Sequence, residues 1–126
     1  MLFFLNEDRH THNIAVLMNG KGDYAYCPIF DNGAGLLADT TMDYPLSGDV
    51  YALMNSVQSK TICSEFDEQL DISKTLYNAN IKFQFMKKDV IELLEKAEAY
   101  PEEIRNRVET IIFAQMRKYS YLFSSV

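Results

Sequence analysis

The sequence predicts a mainly α fold of the α+β class, a β-hairpin first and a helical bundle after it. Three observations carry this. Asn19-Gly20-Lys21-Gly22 is a turn signal between two short apolar runs, because Asn and Gly tolerate the positive φ of tight hairpins. Val90, Leu93, Leu94 and Ala97 recur at i, i+3, i+4, i+7, the period of one helix face. Ile104, Val108, Ile111, Ile112, Gln115, Tyr119 and Leu122 continue such a face through the last stretch of the chain.

Met1-Leu2-Phe3-Phe4-Leu5 reads as the end of a helix or a buried connector; it lacks the basic region and cleavage site of a signal peptide. Residues 14–30 form the hairpin: Ile14 to Met18 go out, and Tyr24, Tyr26, Ile29 and Phe30 return, with Pro28 marking an edge or bulge. Asp31-Asn32-Gly33-Ala34-Gly35 breaks the strand, and residues 36–48 are a loop. Ser47 caps a short helix over about 49–57, and Ser64 with Asp67 caps another over about 65–78. A third runs over about 88–99, and Pro101 opens a last helix reaching about 123.

Composition narrows the function. The 126 residues suffice for one domain with a core of its own. Net charge is −6, and neither half of the chain is basic; this argues against direct binding of nucleic acid, whose phosphates would repel the chain. No apolar run is long enough to cross a bilayer. Cys27 and Cys63 have no CxxC partner and read as reduced thiols of a cytoplasmic protein.

The informative stretch is Asn6-Glu7-Asp8-Arg9-His10-Thr11-His12-Asn13, eight polar residues wedged between apolar runs. Polar groups beside a core element are expensive unless paired or used. If the hairpin pivots near residues 20–21, Asn13 and Asp31 emerge together at its open end, with Asp8 on the loop that feeds Asn13. Asp-x4-Asn, a hairpin, then Asp-x-Gly is the spacing of a phosphoryl-transfer catalytic loop and metal loop. Mg²⁺ suits one Asp and one Asn oxygen alongside nucleotide phosphates. A metal site of His10 and His12 is the weaker reading, since these are the only two histidines and stand at i, i+2. Arg105, Arg107, Arg117 and Lys118, diluted by glutamates, read as a solvated helix surface.

Asp8-Arg9-His10-Thr11-His12-Asn13 resembles the D-R-H-x-x-N catalytic loop of phosphoinositide-kinase-like and HipA-like kinases. With Pro28-Ile29-Phe30-Asp31-Asn32-Gly33-Ala34, the chain looks most like the C-terminal lobe of HipA-type bacterial serine/threonine kinases. The resemblance implies a protein-kinase-like C-lobe over residues 1–126, with the catalytic and metal loops on a hairpin in 1–35 and a helical part in 36–126. It implies ATP and Mg²⁺ as cofactors and a protein substrate. Asp8 would be the general base, Asn13 and Asp31 the Mg²⁺ ligands, and Gly33 the turn of the metal loop. His10 would brace the loop or meet the γ-phosphate, and Arg9 would ion-pair with Glu7, Asp8 or Asp31.

The sequence departs from kinases at Asn32, which stands where D-F-G has Phe, and it carries no glycine-rich phosphate loop or strand Lys. The expectation is therefore a C-lobe without its N-lobe, with Met1 an internal residue of a longer relative. Such a lobe would expose Leu2, Phe3, Leu5 and Phe30 to a missing N-lobe, a partner chain or a second copy. The alternative is a non-catalytic helical interaction module derived from such a kinase, as in a toxin–antitoxin-type pair.

Overall fold

The computed structural model describes residues 2–60 and 63–123, and Met1 lies outside them. Its architecture is α+β: a two-stranded antiparallel sheet, then four α-helices. Strand β1 is Val16–Met18 and β2 is Tyr24–Tyr26, paired 16 with 26, 17 with 25 and 18 with 24. One further bond, from Cys27 N to Ala15 O at 3.0 Å, extends the ladder before Pro28, which has no N–H to continue it. Asn19 builds the turn: its Oδ1 accepts from Lys21 N and Asp23 N, and its Nδ2 donates to Asp23 Oδ2. Gly22 takes the positive φ of +87°.

The helices are α1 (Val50–Ser56), α2 (Phe66–Tyr77), α3 (Lys87–Lys96) and α4 (Glu102–Lys118). A 3-10 turn over Ser120–Leu122 follows α4. Each boundary has a local cause. Asp49, and not Ser47, caps α1, accepting from Tyr51 N at 3.2 Å. Ser64 does not cap α2 through Asp67. Its N and Oγ instead donate to Glu68 Oε2. Asn78 ends α2 in the left-handed region, φ +50°, a conformation Asn tolerates better than most residues. Asp89 Oδ2 accepts from Met86 N and closes the start of α3. The last helix stops five residues short of 123, because the 3-10 turn takes over.

Helix α4 is the hub, touching α1, α3 and the Leu2–Phe4 turn. Its fully buried Ile111 joins Leu5, Leu37 and Tyr44 in one core cluster. Leu2, Phe3, Phe66, Tyr119 and Leu122 form the other. Gln115, buried on α4, donates from Nε2 to Phe3 O at 2.8 Å and so pins the opening segment. Residues 2–5 are therefore a buried connector. The expected exposure of Leu2, Phe3 and Leu5 is wrong, because the two core clusters enclose them, whereas Phe30 is exposed. Exposed apolar side chains gather on the hairpin instead: Val16, Leu17, Met18, Tyr24 and Tyr26.

Among the described residues no helix is long and apolar enough to cross a membrane. Cys27 and Cys63 are both free and half-buried.

Candidate functional site

The polar stretch folds into a compact loop tied by its own amides. Asn6 Oδ1 accepts from Asp8 N at 3.2 Å. Residues Thr11–Asn13 make one 3-10 turn that opens on His10, whose Nδ1 accepts from His12 N. Asn13 is buried, and its Nδ2 donates to Asp8 O at 2.7 Å. That bond fixes the amide plane and leaves Oδ1 without a donor among the described residues. Asn6 and Asn13 thus satisfy the backbone of a loop that could otherwise not sit against the core.

Arg9 joins this loop to the one after the hairpin. Its Nη1 donates to Asn13 O at 2.7 Å and to Phe30 O at 2.6 Å. Its Nη2 donates to Asp31 O at 3.4 Å and to Asn32 Oδ1. The expected ion pair of Arg9 with Glu7, Asp8 or Asp31 is not formed. A planar fork of five donors matches several carbonyls at once, and here it spans both loops. The hairpin register accounts for the meeting: it sets Asn13 level with residue 29, two positions short of Asp31.

Asp31 stands at φ +54°, the left-handed region that Asp occupies at less cost than bulkier residues. Its carboxylate is exposed and has no hydrogen-bond partner among the described residues. Gly33 is a central residue of the turn closed by Gly35 N on Asn32 O at 3.1 Å, but its φ is not positive and a Cβ there would meet open space. The sharp backbone belongs to Asp31, then Leu36 and Leu37 at φ +54° and +56°.

The Asp8 carboxylate faces Lys60 Nζ at 3.4 Å and the imidazole Nε2 of His10 at 3.5 Å. Both pairs are part-exposed, so each is worth less than about 1 kcal/mol; their effect is to hold the carboxylate in place. His10 braces the loop through both ring nitrogens, and its ring meets that of His12 edge to face at 5.4 Å. Sequence reading missed Lys60, which lies 52 positions from Asp8 in a stretch without pattern.

Behind the loops lies a cavity of about 660 Å³, lined by Arg9 and Asn13 and by apolar groups of Phe4, Ile14, Ile29 and Phe30. Polar groups of the two loops and an apolar wall thus meet in one concavity, the usual make-up of a small-molecule site. The spared oxygens, Asn13 Oδ1 and the Asp31 carboxylate, are hard donors of the kind Mg²⁺ takes.

Glu7 anchors the loop from beneath. Its Oε2 accepts from Tyr44 Oη at 3.0 Å, and Arg107 Nη1 donates to Tyr44 O at 2.7 Å. Burial first, then the neighbouring Glu7 carboxylate, pushes the Tyr44 phenol up to about 12. A phenol with a raised folded value favours folding fully below its unfolded value near 10 and loses that contribution as pH rises toward 12. Urea unfolding is expected to show stability falling between pH 10 and 12, by at most about 1.4 kcal/mol per pH unit from this one proton. Tyr44→Phe should flatten that slope.

In comparisons with known proteins, no family model, no curated protein and no solved structure matched the chain.

Proposed function

We propose that this chain is the catalytic C-lobe of an ATP- and Mg²⁺-dependent protein serine/threonine kinase of HipA-like type, completed by an N-lobe or partner chain. One observation carries the reading: a single guanidinium, Arg9, ties the loop of Asp8 and Asn13 to the loop of Asp31 at the open end of the hairpin. In this reading Asn13 and Asp31 hold Mg²⁺, which when bound neutralises phosphate charge. Asp8 orients the substrate hydroxyl and accepts its proton. Lys60 and His10 keep that carboxylate aimed. The exposed apolar hairpin is the surface that the N-lobe covers.

The test is calorimetric titration of ATP into the full chain, with Mg²⁺ and with EDTA. Saturable binding that needs Mg²⁺ and weakens at least tenfold in Asp31→Ala is expected. Binding indifferent to Mg²⁺ and to that substitution would remove the metal assignment. No binding at all would favour the second reading, a non-catalytic interaction module, which the exposed apolar hairpin also supports.

A further inference from the structure

A second cavity, of about 690 Å³, lies between α3, α4 and the loop of residues 35–38. Leu36, Val90, Leu94, Ala97, Ile104 and Val108 make most of its wall. Two arginines of α4, Arg105 and Arg107, line it as well. The expectation that both belong to a solvated face is wrong: Arg107 is 7% exposed, and Arg105 is half-buried.

These guanidiniums are poorly satisfied. Arg107 donates from Nη1 to Tyr44 O, and Arg105 from Nη1 to Leu94 O at 3.5 Å. Arg105 Nε, Arg107 Nε and Arg107 Nη2 are buried with no hydrogen-bond partner among the described residues. Unpaired buried donors on a cation are among the costliest features a fold can carry. Burial also draws the Arg107 guanidinium below its ordinary value. The carboxylate on the wall, Asp89, is already bound to Met86 N.

We propose that this cavity binds a small apolar carboxylate, its hydrocarbon body between α3 and α4 and its carboxylate on Arg105. An apolar wall that carries a guanidinium with an unpaired buried donor calls for a ligand that is greasy over most of its length and anionic at one end. A guanidinium pairs a carboxylate through two parallel N–H donors, and rotation of the terminal side-chain torsions turns the spare donors toward it. The volume lies within the range of ordinary small-molecule sites. This site adjoins the cavity behind the loops of Asp8 and Asp31, sharing Phe4, Gly35 and Leu36 with it, but uses neither carboxylate and stands whether or not those loops bind nucleotide.

The probe is octanoate, with octanol as its uncharged counterpart, titrated calorimetrically into the full chain. Octanoate is expected to saturate at one per chain and to bind at least tenfold tighter than octanol. Ala97→Trp fills the cavity, and should abolish binding while the far-UV spectrum stays unchanged. Arg105→Met should erase most of the preference for the acid. Arg107 also holds Tyr44 O, so its replacement risks the fold and is not relied on. Equal affinity for octanol and octanoate, unsaturable uptake, or undiminished binding by folded Ala97→Trp would each overturn the proposal.

Discussion

Phe3→Ala is expected to remove about 4 kcal/mol of folding stability, in the range measured when a buried Phe is truncated in a well-packed core. Phe3 is 1% exposed, and its ring packs against six others: Phe4, Phe66, Phe83, Phe85, Tyr119 and Phe123. The closest centroid, that of Phe83, is at 4.5 Å. Removing the ring takes away burial and several tilted or edge-to-face contacts at once. It leaves a void that five aromatic groups from three parts of the chain cannot fill by small shifts. A domain of this size has only about 5–15 kcal/mol to lose, so the substitution removes from about a quarter to most of it. Urea denaturation followed by far-UV circular dichroism measures the loss. A loss below about 1 kcal/mol would mean that the cluster is not the keystone its geometry describes. The effect reaches the site, because the next residue, Phe4, accepts Leu36 N at 2.8 Å and the segment leads directly into Asn6.

That dependence explains which parts of the molecule are readable from the sequence. The hairpin is, because Asn19 and Gly22 carry their turn geometry locally, and the turn sets the register. The α3 periodicity is equally local. The burial of Leu2, Phe3 and Leu5 is not, since it depends on partners far along the chain, Phe66, Tyr119 and Leu122 for the first two and Ile111 for Leu5. The helix caps slip by one or two residues because Ser47 and Asp49 compete for the same role, and only backbone geometry decides between them. Arg107 is instructive in a different way. It stands three residues after Ile104 and four before Ile111, on the core-facing side of α4. Its charge argues for solvent and its position for the interior; position wins because Tyr44 O offers a partner. At the site, spacing alone brings Asp8, Asn13 and Asp31 to one end of the hairpin. What spacing does not reveal is how they are held. Arg9 reads as an ion-pair partner because carboxylates surround it in sequence. In the fold the carbonyls of residues 13, 30 and 31 present themselves together, and a fork of donors takes all three.

The consequence of that arrangement is the most direct test of the site. Arg9→Lys is expected to cost about 2 kcal/mol, although charge is conserved. An ammonium is a point donor on a flexible stem and cannot reach acceptors on two loops at once. The carbonyls of Asn13, Phe30 and Asp31 would lose a charged donor together, and the strained φ of Asp31 would lose what holds it. Amide exchange over residues 28–35 should accelerate at least tenfold, while α4 amides exchange as in the wild type. Arg9→Met should behave the same way, which would establish that geometry and not charge is the determinant. Mg²⁺-ATP binding, where the unmodified chain displays it, should weaken in both variants as much as in Asp31→Ala, although Arg9 offers the metal no oxygen. Unchanged exchange over 28–35 would show that the two loops are held together by something other than this guanidinium, and the case for a joint site at residues 8, 13 and 31 would fall with it.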